Sequence, residues 1–187
     1  MTIEVFFCQI ECRSYSDCCK IQWQCMPEVK LIELRPGTMS MDLSFQMTRR
    51  IYAEANATGD WYVLADDDCF IWPNVVLEAW ERLQDHDECK FGMISLEPWP
   101  AIIHPWHPKG YGDRYQDSLI YEHVSVGGVR FIRKWVMKSW PMMVDFSPPQ
   151  YDRIHCDAMR DAGYRCGYFR DLKCAHLGEK QLLTPKP

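Results

Sequence analysis

The first hundred residues alternate between short apolar runs rich in β-formers and segments of helical period, and few folds accept that order. Residues 2–10 and 29–34 (VKLIEL) read as strands, the second ended by the turn signal Arg35-Pro36-Gly37. Residues 40–57 place Met41, Phe45, Met47, Ile51, Tyr52 and Ala55 at near-helical spacing, closed by Asn56 and Gly59. A strand over 61–65, a helix over about 74–84 opened by Pro73-Asn74, and a strand over 90–96 (KFGMISL) follow. Strands separated by helices pair in parallel, because the helix carries the chain back across the sheet. The expectation is an α/β domain with a largely parallel central sheet flanked by helices. Ligands of such sheets bind outside the carboxyl ends of the strands.

One strand end is conspicuous on that ground. In "WYVLADDDCFIWPN" (61–74), Asp66, Asp67 and Asp68 directly follow an apolar run. Three adjacent carboxylates repel one another, and a strand end has no structural use for them. A divalent hard cation, which prefers carboxylate oxygens, is the natural guest.

The rest of the chain sets limits. Its 187 residues suit a single domain, and 47% apolar with 25% charged residues is the composition of a globular protein. No apolar run reaches the roughly 18 residues of a membrane span. The start, MTIEVFFCQIEC, lacks a basic leader and carries Glu4 and Glu11, so it reads as a strand rather than a signal peptide. A cytoplasmic protein is the expectation. Ten cysteines test it, five of them (Cys8, Cys12, Cys18, Cys19, Cys25) near the N-terminus. No C-x-x-C occurs, so the usual zinc-finger spacing is missing. Without an export signal the thiols are expected to be reduced and packed as small hydrophobes.

Charge is uneven. Residues 1–97 hold 8 Lys+Arg against 17 Asp+Glu, whereas residues 128–174 hold 9 against 5. Such halves suit opposite walls of one cleft, one for a cation and one for a phosphate, although uneven surface decoration gives the same counts. Between them, residues 97–117 (EPWPAIIHPWHPKGYGDRYQD) are too rich in proline and glycine for regular structure yet carry Trp99, Trp106, Tyr111 and Tyr115. A loop of this length is functional or disordered; its aromatic content favours function, with stacking on sugars or bases an obvious use. His104 and His107 within it read as surface or packing residues.

Residues 123–136 read as a strand interrupted by Gly127-Gly128, which marks a bulge or a place where a ligand approaches the backbone closely. Residues 150–162 read as a helix opened after Pro148-Pro149 and ended by Gly163. A strand over 164–171 and the stretch Cys174-Ala175-His176-Leu177-Gly178 close the chain.

Taken in order, these parts resemble a minimal GT-A glycosyltransferase of the inverting, family 2-like kind. The strand-terminal D-x-D is Asp66-Asp67-Asp68, and Gly127-Gly128 precede "VRFIR". A helix opens with Tyr151-Asp152, and His176 lies in "AHLG". Position 151 is Tyr where many relatives carry Glu, and the segment around Gln9 to Arg13 matches only loosely. The resemblance implies one GT-A (Rossmann-like) domain, with residues 1–96 binding nucleotide-sugar and metal and 97–187 supplying acceptor and catalytic groups. It implies Mn²⁺ or Mg²⁺ on Asp68 and His176, with Asp66 at the ribose or a bound water. Asp67, Gly127, Gly128, Arg130, Gln9 and Arg13 are the further donor-binding candidates it suggests. Placing Pro73 on the family's proline makes Asp66 and Asp68 the pair, with Asp67 turned away if strand alternation persists. Asp152, in the first turn of its helix, would be the general base, which implies inversion; its alternative role is capping that helix. Arg130 and Arg133 are candidates to stabilise the departing diphosphate.

The acceptor is open: a glycan, a small molecule, or a hydroxylated base of DNA met by the basic 128–174 segment. Two readings from other classes compete. "VLADDDCF" resembles the motif of haloacid-dehalogenase-type phosphatases, although that motif belongs on a first strand and here two strands precede it. The other is a non-catalytic nucleotide-sugar-binding module.

Overall fold

The computed structural model of the chain describes residues 2–9, 15–34, 43–85, 91–99, 120–122, 126–134 and 151–177. Arg13, His104, His107 and the aromatic stretch beyond Trp99 lie outside them. In chain order the elements are β1 (Ile3–Cys8), α1 (Ser16–Gln24), β2 (Val29–Leu34), α2 (Leu43–Asn56), β3 (Trp61–Asp66) and β4 (Cys69–Phe70). They continue with α3 (Pro73–Asp85), β5 (Phe91–Trp99), β6 (Ile120–Glu122), β7 (Val129–Arg133), α4 (Tyr151–Asp161) and β8 (Arg165–His176).

The strands form one sheet in the order β2-β1-β3-β7-β5-β8-β4, with β6 also against β8. β1 pairs in parallel with β2 and β3, and β5 in parallel with β8. β7 runs antiparallel between β3 and β5, and β4 and β6 run antiparallel to β8. Five strands therefore share one direction, and the mixed α/β class with a largely parallel sheet is as the alternation predicts.

Period-two alternation sends each strand's side chains to two separate cores. Ile3, Val5 and Phe7 of β1, Val63 and Ala65 of β3 and Phe131 of β7 face one side, with Cys19 and Trp23 of α1 and Val76, Ala79, Trp80 and Leu83 of α3. Phe6, Cys8, Tyr62, Leu64 and Ile132 face the other, with Ala53 of α2 and Cys156 and Met159 of α4. The sheet is thus covered on both faces, α1 and α3 on one and α2 and α4 on the other.

Several elements differ from the sequence-based expectation, each for a physical reason. α1 lacks a strong apolar stripe; only Ser16, Cys19 and Trp23 point inward. β8 is one 12-residue strand, pairing with β5 along one side and with β6 and then β4 along the other. β5 extends through Pro98, which is tolerated near a strand end where one missing N–H costs little. Gly127 and Gly128 precede β7 rather than interrupt it. On α2, where burial is described for residues 49–56, Ile51 and Tyr52 are about half exposed, while Arg49, Arg50 and Ala53 are buried. Two arginines occupy positions where an amphipathic helix would place apolar residues, and the site below explains why.

Candidate active site

The carboxyl ends of β1, β3 and β8 and the start of β7 meet at one end of the sheet. Asp66 ends β3 beside Cys8 of β1. Its carboxylate is held by three elements at once. Arg49 of α2 donates to Oδ1 at 2.8 Å, Arg130 of β7 donates to Oδ1 at 2.7 Å, and the Gly128 N–H donates to Oδ2 at 3.2 Å. The Asp66 N–H in turn donates to the Gly128 carbonyl at 3.3 Å. Burial alone would raise the Asp66 carboxyl, but Arg130, Arg49 and Arg50 outweigh it and hold the group well below the usual carboxylate range.

Arg130 reaches Asp66 with one arm and Asp152 with the other, donating to Asp152 Oδ1 at 2.5 Å. Arg50 donates to the same oxygen at 2.8 Å. Asp152, in the first turn of α4, thus turns its carboxylate toward the sheet and its arginines. Its Oδ2 accepts no hydrogen bond among the described residues and faces Gly127, where an added Cβ would lie 2.8 Å away. A side chain at position 127 would have to displace this oxygen from its place. The Gly127 N–H donates to the buried Tyr168 hydroxyl.

Arg49, Arg50 and Arg130 are all buried, as is His155 behind them. Burial and the three guanidiniums push His155 well below its ordinary value, so it is neutral at neutral pH. Burial with Arg49 and Arg130 pulls Arg50 down to about 9, so it remains charged. Three guanidiniums thus face the carboxylates of Asp66 and Asp152. The Nε–H groups of Arg49 and Arg130 have no hydrogen-bond partner among the described residues. Buried arginines with spare donors are suited to a phosphate.

The aspartate triplet divides at this point. Residues 67 and 68 form a turn from β3 into β4, so strand alternation does not carry past Asp66. Asp68 instead meets the end of β8: its Oδ2 lies 3.5 Å from His176 Nε2, and its backbone carbonyl accepts the Leu177 N–H at 2.6 Å. Its Oδ1 accepts a contact from the Cys69 thiol at 3.7 Å. Asp67 is fully buried beside it. Single ligand atoms of Asp68, Cys69 and His176 all fall within 4.8 Å of one another. An oxygen, a nitrogen and a sulfur at that spacing fit a divalent ion, and the buried His176 Nδ1, without a partner among the described residues, adds an unsatisfied polar atom at the site.

Gly127 and Gly128 form the wall between these two groups. Gly128 has a φ of 79°, which favours glycine, and a Cβ there would sit 3.2 Å from Cys69 Sγ. Asp66, Asp68, Asp152, His176, Gly127, Gly128 and Arg130 thus lie together at one end of the sheet. Gln9 is at the same end of β1, but its amide donates to Asp17 at 3.1 Å. Arg133 lies elsewhere, stacked over the Trp61 ring at 4.9 Å.

Several of the described basic residues of 128–174 are engaged within the chain. Arg165 pairs with Glu122, Arg160 with Asp157 and Lys173 with Glu97, while Arg170 lies over Tyr121. A cavity of about 330 Å³ opens at the opposite end of the sheet, lined among others by Glu4, Lys30, Trp61 and Trp80. Its buried acid, Glu4, is fully occupied by Lys30 and the Thr58 and Gly59 N–H groups, and none of the clustered groups above reaches it.

Sequence reasoning missed Arg49, Arg50, His155 and Cys69. The signal for the arginines was adjacency on a helix otherwise patterned as amphipathic. For Cys69 it was position, directly after the aspartates.

No protein-family model matches the chain, and no curated protein sequence matches it. Solved structures do. The mannosyltransferase PcManGT from Pyrobaculum calidifontis, in complex with GDP-Man and Mn²⁺, is similar at a TM-score of 0.64 and 12% identity, over 96% of this chain and 57% of that one. Glucosyl-3-phosphoglycerate synthase from Mycobacterium tuberculosis, with Mg²⁺ and UDP, is similar at 0.59 and 15%, over 97% and 74%. S. aureus TarS 1–349 with UDP-GlcNAc gives 0.57 and 13%, over 100% and 62%. The chain spans about three fifths of the length of TarS 1–349 and of PcManGT. The fold is a GT-A-like nucleotide-sugar transferase fold.

Proposed function

We propose that this chain is a glycosyltransferase that moves a sugar from a nucleotide-sugar to an acceptor hydroxyl, dependent on a divalent metal and with inversion. The observation that carries the reading is the placement of Asp152. Its Oδ1 is clamped by Arg50 and Arg130, while Oδ2 faces the bare backbone of Gly127.

In this reading the donor's diphosphate lies against Gly127-Gly128. Arg130 and Arg49 on one side take its charge by charge-assisted hydrogen bonds as the sugar–phosphate bond breaks. Asp66 fixes Arg49 and Arg130 in place and remains ionised while doing so. Asp68 and His176 would hold a Mn²⁺- or Mg²⁺-like ion, which, when bound, offsets charge on the departing diphosphate as a Lewis acid. Asp152 Oδ2 accepts the proton of the acceptor hydroxyl, whose oxygen attacks the anomeric carbon from the face opposite the leaving group. The two arginines on Oδ1 orient the carboxylate. Residues 1–96 supply Arg49, Asp66 and Asp68, and 97–187 supply the glycine pair, Arg130, the base Asp152 and His176, so the donor and metal groups come from both halves. A glycan or small-molecule acceptor is favoured over DNA, because Arg160, Arg165 and Lys173 of the basic 128–174 segment each pair with an acid of the chain.

The test is turnover of a panel of nucleotide-sugars with Mn²⁺ or Mg²⁺ and an acceptor panel, with product anomers assigned by NMR. Inverted configuration is expected; retention would contradict Asp152 as base.

A further inference from the structure

We propose that Cys69 is a third protein ligand at the Asp68–His176 centre, making it a site for borderline, thiophilic divalent ions such as Zn²⁺ and Co²⁺ in preference to Mg²⁺. This rests on the reading of Asp68 and His176 as metal ligands and adds to it a ligand and a metal preference.

Strand pairing carries the argument. Cys69 and His176 stand directly opposite in the β4–β8 ladder, so the thiol and imidazole leave the sheet on the same face. Asp68 bridges them, Oδ1 at 3.7 Å from the sulfur and Oδ2 at 3.5 Å from Nε2. An ion with metal–ligand distances of about 2.0–2.3 Å can touch all three donors at such separations after small shifts. Gly128 passes over the sulfur without a side chain, and a Cβ there would press on Sγ at 3.2 Å. Three protein ligands of O, N and S type leave further positions for donor phosphate oxygens, the pattern of an open catalytic site. A hard ion with a strong demand for oxygen is poorly served by sulfur, whereas Co²⁺ and Zn²⁺ accept it. On binding, the thiol proton leaves to solvent and the thiolate takes its place.

The experiment is titration of the reduced full chain with Co²⁺, followed by absorption, with Mg²⁺ as competitor. A thiolate-to-cobalt charge-transfer band is expected in the wild type and in C174S and C19S, and is lost in C69S. Removing even an outer-shell partner costs metal affinity 10–100-fold, so C69S should weaken Co²⁺ binding by roughly tenfold or more. Millimolar Mg²⁺ should not displace the ion. Cobalt binding without the band, or a band that survives C69S, overturns the ligand assignment and leaves Asp68 and His176 standing. Absence of binding by Co²⁺, Mn²⁺ and Mg²⁺, with UDP or GDP present, overturns both. Should C69S not fold, X-ray absorption of the wild type, C174S and C19S decides: a cobalt–sulfur shell in all three supports Cys69, and its absence from any refutes it.

Discussion

Arg130 is the residue on which the site turns, because among the described residues it alone donates to both carboxylates, Asp66 on β3 and Asp152 on α4. It is fully buried, and removing one partner of a buried ion network leaves uncompensated charge. Arg49 still holds Asp66 and Arg50 still holds Asp152, so Arg130→Ala should cost about 3 kcal/mol, at the low end for such losses. Denaturant unfolding measures it; a cost below about 0.5 kcal/mol would mean that the remaining arginines suffice. The residue scale is also where the sequence was least legible. An aspartate after a strand and a glycine pair are visible as motifs, but Arg49 and Arg50 carry no motif and become functional candidates only once β3 and α4 deliver acids to them.

At the scale of elements, the strands were readable because alternation fixes both their faces, and β2 and β3 lie where the sequence places them. Helix α2 was readable as a helix but not in its orientation. Apolar spacing directed Ile51 and Tyr52 inward, whereas pairing with Asp66 and Asp152 draws Arg49 and Arg50 there instead. Such inversions of local pattern are expected at functional sites. β4 and β6, of two and three residues, are too short to carry a pattern at all. A different element contact, at the far end of the sheet, has a pH signature. Glu4 of β1 ties Lys30 of β2 to the turn at Thr58 and Gly59. Burial opposes its ionisation, but Lys30 and those N–H groups bring it down from 4.5 to about 2. Because the folded value lies below the unfolded one, the stabilisation is present above about pH 4.5 and lost as pH falls toward 2. Glu4→Gln should therefore destabilise by roughly 1–3 kcal/mol at pH 7, and its deficit should shrink between those two pH values. A deficit independent of pH would show that packing, not charge, holds this contact.

Across the whole molecule, the order of parts proved more informative than any single one. D-x-D, glycine pair, acid-opened helix and terminal histidine are separated by tens of residues, yet the sheet returns all four to one end. The charge asymmetry was a poorer guide, since Arg160, Arg165 and Lys173 each pair with an acid of the chain. Among the described residues no helix is long and apolar enough to cross a membrane. The central claim is that donor capture and proton removal reside in different carboxylates of this one site, and a paired measurement on two variants tests it most directly. With the nucleotide-sugar that the wild type turns over, calorimetry and nucleotide release are measured for Asp68→Asn and Asp152→Asn in the presence of metal. Asp68→Asn should lose metal-dependent donor binding, because a neutral amide is a poorer ligand for the cation. Asp152→Asn should bind the donor within a few-fold of wild type and transfer at least about 100-fold more slowly, the contribution of a positioned base. Donor binding and transfer rates close to wild type in both variants would contradict the account.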